Sequence, residues 1–210
     1  MPLFKIINHN KNTTIFIWKI DESLAQLEKS IKLNDRSIKR IQGMRSESHK
    51  KGFLAVRKLL ETAQLTDFDL YYTNDGKPHL KDGRIITISH SFDFSAIAIS
   101  ESEIGIDIEK NRDKIQRIAS KFIGEENDFL CNENLTEQLT VIWGAKESLF
   151  KIHPDGGLLF IEHLPIEKFK LYQKTTSGQI LKDTTNKTYK IYFDIFDGYT
   201  LVYATNEIKK

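Results

Sequence analysis

The stretch that most restricts the fold of this chain is residues 104–110, which read IGIDIEK. Apolar and acidic residues alternate there, so on a β-strand Asp107 and Glu109 share one face while Ile106 and Ile108 share the other. Strands disfavour Asp, and neighbouring like charges repel each other. A hard cation would relieve that repulsion, because Mg²⁺ prefers carboxylate oxygens and usually takes one or two from a protein. An edge strand with its acids in water explains the pattern equally well.

A second informative stretch is residues 143–151, which read WGAKESLFK inside a pattern that predicts a helix from about 137 to 152. Trp143, Glu147 and Lys151 are spaced four apart and therefore lie on one face of that helix. This face offers a third carboxylate and an ammonium group that could meet a phosphate. An ordinary Glu-to-Lys surface pair is the commoner explanation of such spacing.

Together the two stretches resemble the Sfp-type 4′-phosphopantetheinyl transferases. That family carries a G-[IV]-D-x-E strand and, later in the chain, a W-x-x-K-E-[SA]-x-x-K helix, and residues 105–109 and 143–151 fill every specified position. The resemblance implies an α+β fold, a pseudo-dimer of two similar α/β halves with the active site in the cleft between them. We expect an N-terminal half at 1–103 on the coenzyme A 3′-phosphate and adenine side. The C-terminal half, 104–210, is expected to carry the metal and the catalytic residues.

The chain also shows a faint internal repeat of its own. Residues 53–60 resemble residues 142–149, each a predicted helix with a charged pair at matching places. A hairpin-like pair of strands follows each helix, at 87–100 and 192–204, with Phe-Asp at each bend. Two α/β halves of like build would form a pseudo-dimer, and the cleft between them would be the natural ligand site.

Hydrophobic periodicity and turn residues predict the remaining elements. Strands are expected at 4–7, 14–20, 70–73, 85–89, 95–100, 168–172, 180–181, 188–196 and 199–204. Helices are expected after a cap at Asp21 or Ser23 and over 47–64, 112–122 and 125–130. The sequence HPDGG at 153–157 predicts the end of the motif helix.

The family resemblance implies a set of coenzyme A-binding residues. Ser89 and His90 begin an S-H-S segment like the one that lines the coenzyme A site, and Lys77 and Pro78 belong to a G-K-P loop like the one near the nucleotide. Arg57 matches an arginine that the family places against the 3′-phosphate, a task that suits its planar fork of donors. From the residues alone, a lone His at a strand end is usually structural and a Gly–Pro segment is usually a plain turn.

The same resemblance implies a metal and a catalytic set. Asp107, Glu109 and Glu147 would hold Mg²⁺, or Mn²⁺ in its place, against the pyrophosphate of coenzyme A. Lys151 would stabilise or protonate the departing phosphate, and Lys146 would contact the same phosphates or brace the acids.

One position departs from the family pattern. Asn127 stands where many relatives carry a glutamate that is taken to be the general base, and an amide cannot accept a proton at neutral pH. We therefore expect Glu126 to act as the base. The alternatives are Glu125 in a shifted helix, a metal-bound water, or a slow reaction.

These features predict an enzyme, a 4′-phosphopantetheinyl transferase. With Mg²⁺ it would move the 4′-phosphopantetheine group from coenzyme A, its co-substrate, to a serine of an apo acyl or peptidyl carrier protein, and release 3′,5′-ADP. The alternative is a non-catalytic coenzyme A-binding sensor or scaffold for carrier proteins, which only Asn127 favours. Basic residues crowd the segment 29–58, but no RNA-binding signature accompanies them. We expect this segment to recruit an acidic carrier protein, the plain alternative being a solvated helical face.

Composition restricts the class of protein. The chain has 210 residues, 40% hydrophobic and 29% charged, with a formal net charge of +2, which is typical of one globular unit or two small ones. Its single cysteine, Cys131, cannot form an internal disulfide and suits a reducing compartment. Residues 1–10 lack a signal-peptide pattern, and no run approaches the roughly twenty apolar residues of a membrane helix. We therefore expect a cytoplasmic monomer that binds neither nucleic acid nor a membrane.

Overall fold

The computed structural model describes residues 3–153 and 157–206, and the chain divides into two compact units. The first unit is Met1–Ser102 and the second is Glu103–Lys210, so the division falls one residue before the boundary expected from the sequence. None of the helices in the described part of the chain is both long enough and apolar enough to cross a bilayer.

The first unit contains a four-stranded antiparallel sheet and three helices. In chain order its elements are β1 (Leu3–Asn10), β2 (Thr13–Lys19), α1 (Leu24–Ser30), α2 (Asp35–Gly43), α3 (Glu47–Thr62), β3 (Leu70–Tyr72), β4 (Pro78–Leu80), β5 (Ile85–Ser91) and β6 (Phe94–Ser100). The sheet has the order β1-β2-β6-β5, and β3 and β4 form a separate two-stranded sheet.

Helix α3 is the central helix of this unit. Its N-cap is Ser46, whose side chain accepts a hydrogen bond from the backbone N–H of His49. Its apolar positions, Leu54 and Leu59 among them, are fully buried in the same core as Ile97 of β6. The helix therefore forms because its apolar stripe, at a period of 3.6, is covered by the sheet.

The second unit repeats this plan with one dominant helix. Its elements are β7 (Ile104–Lys110), a 3₁₀ helix (Asp113–Lys121), two shorter ones (Glu125–Phe129 and Asn132–Asn134), α4 (Leu135–Ile152), α5 (Phe160–His163), a 3₁₀ turn (Leu171–Gln173), β8 (Thr175–Lys182), β9 (Thr185–Phe196) and β10 (Tyr199–Thr205). The antiparallel sheet has the order β7-β10-β9-β8, and α4 packs across β7 and β10.

Two glycines allow α4 to lie directly on the sheet. A Cβ at Gly105 of β7 would stand 1.9 Å from the backbone oxygen of Ser148, which is far inside van der Waals contact. A Cβ at Gly144 would stand 2.7 Å from the side chain of Val202 on β10. The glycine that opens the GIDIE motif is therefore required by the close approach of the helix backbone to the strand.

The two units share a strand–helix–hairpin plan. In the first unit β2 precedes α3, and the hairpin β5–β6 returns β6 to pair antiparallel with β2. In the second unit β7 precedes α4, and the hairpin β9–β10 returns β10 to pair antiparallel with β7. The α+β class and the presence of two similar halves are thus confirmed. The placement of an active site between the halves stays a prediction.

Several predicted elements differ from the structure. The helices expected at 112–122 and 125–130 are 3₁₀ rather than α, and no residue of Asp113–Lys121 is buried, so packing does not hold a full α-helix there. The strand expected at 168–172 is wrong, because a 3₁₀ turn ends at Lys174 in a left-handed conformation (φ 55°) and the strand begins only after it. In the predicted stop at 153–157, α4 does end at Ile152, and residues 154–156 lie outside the described residues.

The structure also contains elements that the periodicity did not predict. Helix α2 buries only Ser37 and Ile41 of its nine residues, which leaves too weak an apolar stripe to recognise from sequence. Its start is set by Asn34, whose side chain accepts a hydrogen bond from the backbone N–H of Ser37. Strand β4 was likewise missed, because it has only three residues and begins at Pro78.

Candidate active site

The acidic strand β7 is held against α4 by an ion pair. The Lys151 ammonium donates hydrogen bonds to Asp107 Oδ1 at 2.9 Å and to the backbone oxygen of Ile106 at 2.7 Å. Although β7 is an edge strand of its sheet, Asp107 is only 4% exposed. The alternative of an edge strand with its acids in water is therefore wrong for Asp107, since α4 covers that face.

Glu147 lies one helical turn before Lys151, and the acids of β7 affect its pKa. Burial raises the pKa of its carboxyl above the ordinary value of 4.5, and the negative charge of Asp107 raises that pKa further. Lys151 offsets part of this effect, and Glu109 adds a smaller increase to the pKa. The predicted residues Asp107, Glu109, Glu147 and Lys151 thus belong to one electrostatic cluster.

The chemistry of this cluster can be tested against a magnesium ion. In the described ranges, 3–153 and 157–206, no group of three or more His, Cys, Asp or Glu side chains is arranged as a ready-made metal centre. Mg²⁺ rarely uses such a cage, because it takes one or two carboxylates and completes its octahedron with water and phosphate oxygens. Crowded negative charge at Glu147 is what a divalent cation would relieve. The residues therefore fit Mg²⁺ held jointly with a phosphate-bearing ligand.

Trp143 of the helix motif has a packing role. Its ring meets Phe122 edge to face at 5.2 Å between centroids and lies 5.4 Å from Phe160. Phe160 also lies 5.9 Å from Phe150, one turn beyond Glu147 on α4. These aromatic contacts fix the segment around Phe160 on the helix that carries Glu147 and Lys151.

Lys146 and Glu126 form a buried ion pair. Lys146 has no exposed surface, and its Nζ lies 2.7 Å from Glu126 Oε1 and donates to the backbone oxygen of Phe160 at 3.0 Å. Glu126 is 3% exposed and accepts backbone hydrogen bonds from Gly124 at 2.8 Å and Ile166 at 3.0 Å. Burial lowers the pKa of Lys146, and Glu126 opposes that decrease.

This pair bears on two predicted roles. To act as a general base Glu126 would have to be reached by a serine in its buried position, and to reach a phosphate Lys146 would have to leave a fully buried position. Both roles stay predictions. Asn127, at the position of the family's base, follows Glu126 on the same 3₁₀ helix and is exposed.

Arg57, the predicted 3′-phosphate ligand, is also buried. It is 2% exposed and donates from Nε to Asp67 Oδ1 at 2.8 Å, from NH1 to the backbone oxygen of Phe53 at 3.1 Å and from NH2 to Ser37 Oγ at 3.2 Å. Its guanidinium carbon lies 3.5 Å from the centroid of the Phe53 ring. These contacts give Arg57 a structural role, and its contact with a phosphate stays a prediction.

Sequence periodicity carried a signal for both buried cations that the motif-based reasoning passed over. Lys146 lies four residues after Ile142 and three before Leu149, both fully buried, so it sits on the apolar stripe of α4. Arg57 stands in the same relation to Phe53 and Leu60 on α3. A charge on an apolar stripe is expected to be paired inside the protein.

The other predicted coenzyme A residues lie at a strand end and a turn of the first unit. Ser89 is 9% exposed, and the neighbouring His90 is exposed, with its ring centroid 6.0 Å from that of His49 on α3. Lys77 closes the predicted turn, since its backbone oxygen accepts from the N–H of Thr73, and Pro78 begins β4. Their contact with coenzyme A stays a prediction.

Comparison with known proteins finds a family model that matches the second unit. Residues 103–204 match the model described as the 4′-phosphopantetheinyl transferase superfamily. The second unit is therefore similar to that superfamily. It is 27% identical over 157 residues to "4′-phosphopantetheinyl transferase gsp" of Aneurinibacillus migulanus, a match that covers 70% of this chain and 64% of that protein. It is 28% identical over 161 residues to "4′-phosphopantetheinyl transferase Sfp" of Bacillus subtilis (strain 168), covering 71% of this chain and 70% of that protein.

The superfamily match covers the elements that carry the acidic cluster. Both β7, with Asp107 and Glu109, and α4, with Glu147 and Lys151, lie inside residues 103–204. The resemblance seen in the two sequence motifs is therefore confirmed. The alignment with the gsp protein spans just under two thirds of that relative's length, so the activity of this chain is a matter for proposal.

Proposed function

We propose that this chain is a magnesium-dependent 4′-phosphopantetheinyl transferase. It moves the 4′-phosphopantetheine group of coenzyme A to a serine of an apo acyl or peptidyl carrier protein and releases 3′,5′-ADP. The observation that carries the proposal is the electrostatic coupling of Glu147 to Asp107, Glu109 and Lys151, with Lys151 itself ion-paired to Asp107, in the unit that matches the superfamily. The names of both relatives, 4′-phosphopantetheinyl transferases, support it.

The acids of β7 and α4 would hold the metal. Asp107, Glu109 and Glu147 would supply the carboxylates for Mg²⁺, or Mn²⁺ in its place, with one or two of them bound directly, and the ion would neutralise charge that develops on the pyrophosphate as the bond breaks. Glu147 would be ionised for this task, because a nearby cation reverses the effect of the neighbouring acids on its pKa. The main contribution of these three residues is to orient the pyrophosphate.

Lys151 would act on the leaving group. The serine oxygen loses its proton to water and bonds to the phosphorus next to the pantetheine arm, and the bond from that phosphorus to the bridging oxygen breaks. The bridging oxygen then belongs to the 5′-phosphate of 3′,5′-ADP, whose new negative charge needs a cation or a proton. Lys151 is already held at β7 by Ile106 and Asp107, so its ammonium is placed beside the acids that bind the pyrophosphate.

The first unit would bind the nucleotide end of coenzyme A and recruit the carrier protein. Ser89, His90, Lys77 and Pro78 stay our proposed contacts with coenzyme A, on the strength of their match to the family pattern. The exposed single cysteine, Cys131, is in keeping with a reducing compartment such as the cytoplasm, where we propose that the chain acts as a monomer.

A second candidate function rests on one observation. Asn127 occupies the position of the family's general base, and Glu126 beside it is engaged in a buried ion pair. A chain that bound coenzyme A without transferring it would be a sensor or scaffold for carrier proteins. The acidic cluster and Lys151 favour the transferase over this alternative.

One experiment separates the two functions. The protein is incubated with coenzyme A, Mg²⁺ and a panel of apo acyl and peptidyl carrier proteins, and the carriers are weighed by mass spectrometry. Transfer adds the mass of one phosphopantetheine to a carrier in the presence of Mg²⁺ and not of excess chelator. The matched control is Glu137→Gln, which removes an acid from the first turn of the same helix and should leave transfer intact. Binding of coenzyme A without transfer to any carrier would support the sensor.

A further inference from the structure

We propose that Glu126 and Lys146 are positioning residues, which hold α4 in the register that presents Glu147 and Lys151, and that neither touches the substrates. This inference rests on the proposed transferase function and replaces two roles that the sequence suggested, the general base and a phosphate ligand. It begins from the geometry of the ion pair.

The pair joins three segments of the second unit. Lys146 comes from α4, and its ammonium reaches the carboxylate of Glu126 and the backbone oxygen of Phe160. Glu126 in turn accepts the backbone N–H groups of Gly124 and Ile166. Helix α4, the 3₁₀ helix Glu125–Phe129, and the start of α5 with the chain that follows it are thus tied at one buried point.

The occupied oxygens of Glu126 leave little room for catalysis. Oε1 accepts from Lys146 and Ile166, and Oε2 accepts from Gly124. A general base must lie within hydrogen-bond reach of the proton that it takes. Glu126 is 3% exposed, so a serine of a carrier protein would reach it only if the segments packed around the pair moved apart.

The first unit also contains a buried ion pair, at the equivalent position of its main helix. In the internal repeat, residues 53–60 correspond to residues 142–149, so Arg57 of α3 takes the place of Lys146 of α4. Arg57 pairs with Asp67, both almost fully buried, at 2.8 Å. The matching position after Arg57 is Lys58, so α3 lacks a counterpart of the acid Glu147. A buried cation is thus present in both units, although only the second unit has the metal-binding acid beside it. The buried cation therefore serves the fold and not the metal site.

The pair nevertheless affects the chemistry because Lys146 and Glu147 are neighbours. A displacement of the α4 backbone at Lys146 moves the Glu147 carboxylate relative to Asp107 on β7. Residues that orient metal ligands typically change metal affinity or activity by about 10- to 100-fold when they are altered. The two charges should therefore affect the Mg²⁺ requirement jointly.

The test is a double-mutant cycle with Lys146→Met and Glu126→Gln. Lys146→Met leaves the Glu126 carboxylate buried without its cation, so we expect a large decrease in melting temperature and about a 10- to 100-fold loss of turnover. Adding Glu126→Gln removes the uncompensated charge and preserves an oxygen that can accept the Ile166 N–H. The double variant should therefore melt above Lys146→Met and recover part of its turnover.

A further loss of turnover in the double variant, in place of a recovery, would overturn the inference. If Glu126 is the general base, adding Glu126→Gln to Lys146→Met lowers turnover by a further factor of roughly 10²–10⁴. A second assay does not depend on catalytic activity: calorimetry measures the Mg²⁺ concentration needed for tight coenzyme A binding. We expect it to rise in folded Lys146→Met and to fall back in the double variant. An unchanged Mg²⁺ requirement in Lys146→Met would reduce the pair to a purely structural role.

Failure of the inference can be told apart from failure of the proposed function. If the wild-type protein transfers nothing to any carrier, the transferase function falls, and the melting and calorimetric cycles still decide whether the pair positions α4. If Lys146→Met does not fold while the double variant does, the pair is coupled as proposed. If neither folds, Glu126→Gln alone decides through its turnover, since a loss of roughly 10²–10⁴ with an unchanged melting temperature would restore the general-base role.

Discussion

Replacing Arg57 by Ala should lower the stability of the protein substantially. The change leaves the buried carboxylate of Asp67 with two of its donors, the backbone N–H of Asn34 and the hydroxyl of Ser37, and without its cation. Breaking a buried ion pair in this way costs about 3–5 kcal/mol. In a chain of this size each kcal/mol lowers the melting temperature by roughly 2–4 °C, so we expect a decrease of about 6–20 °C.

Thermal unfolding followed by circular dichroism measures this decrease. Lys58→Ala is the matched control, because Lys58 follows Arg57 on the same helix and pairs with Glu61 at the surface, where such pairs contribute about 0–1 kcal/mol. The control should melt within about 4 °C of the wild type.

The same variant tests whether Arg57 binds the 3′-phosphate. If it does, Arg57→Ala weakens coenzyme A by about 10- to 150-fold more than 3′-dephospho-coenzyme A, which corresponds to the roughly 1.5–3 kcal/mol of a hydrogen bond to a charged group. We expect instead that both ligands bind the folded variant with similar losses. A wild-type melting temperature together with a selective loss for coenzyme A would refute the structural argument.

Other predictions concern the acidic cluster and the first unit. Glu147→Ala should abolish transfer at low Mg²⁺ and keep the fold; near-normal activity at low Mg²⁺ would remove Glu147 from the metal ligands. The pKa of Glu147 in the folded protein is raised above its ordinary value of 4.5. The folded protein therefore loses stability as the pH rises from 4.5 through this raised pKa, because the Glu147 carboxyl then ionises less readily in the folded state than in the unfolded state. Without Mg²⁺, Glu147→Gln should therefore melt above the wild type at pH 7, and the difference should vanish below pH 4.5; a constant difference at all pH values would contradict the shift. His90→Ala should raise the coenzyme A concentration needed for transfer and leave the affinity for the carrier unchanged, as measured by titrating each substrate separately. Reversing Arg36 and Arg40 to Glu should slow carrier association as high salt does, since both act through charge; an unchanged association rate in stopped flow would assign both to a solvated face.

Arg36 and Arg40 illustrate how a charge pattern alone can mislead. Both guanidinium groups lie over the ring of Tyr72, at 5.6 and 4.9 Å from its centroid, and Arg36 also donates to the backbone oxygen of that residue. Their positive charges remain available to a partner, but their positions are set by packing. The sequence shows only that basic residues crowd this segment, and it does not show which of them are anchored.

The elements that follow from local chemistry could be read from the sequence. The alternation at 104–110 predicted the strand β7, the periodicity of 137–152 predicted α4, and the Asp197-Gly198 bend predicted the hairpin. Asp197 and Gly198 both have positive φ, 48° and 74°, as a two-residue hairpin turn requires. Both halves share the strand–helix–hairpin plan, and in each the last strand of the hairpin pairs with the strand that precedes the helix: β6 with β2 and β10 with β7.

The sequence by itself determined which residues form the acidic cluster, because their chemistry and spacing on one strand and one helix are local properties. Only the tertiary structure decided the partners of the buried cations. Glu126 and Lys146 are far apart in the chain, as are Ser37 and Arg57, and nothing in their spacing says that they meet. Neighbours on a helix point about 100° apart. Lys146 therefore faces the core while Glu147 faces the acids of β7, and packing, which a linear motif does not contain, divides the two roles.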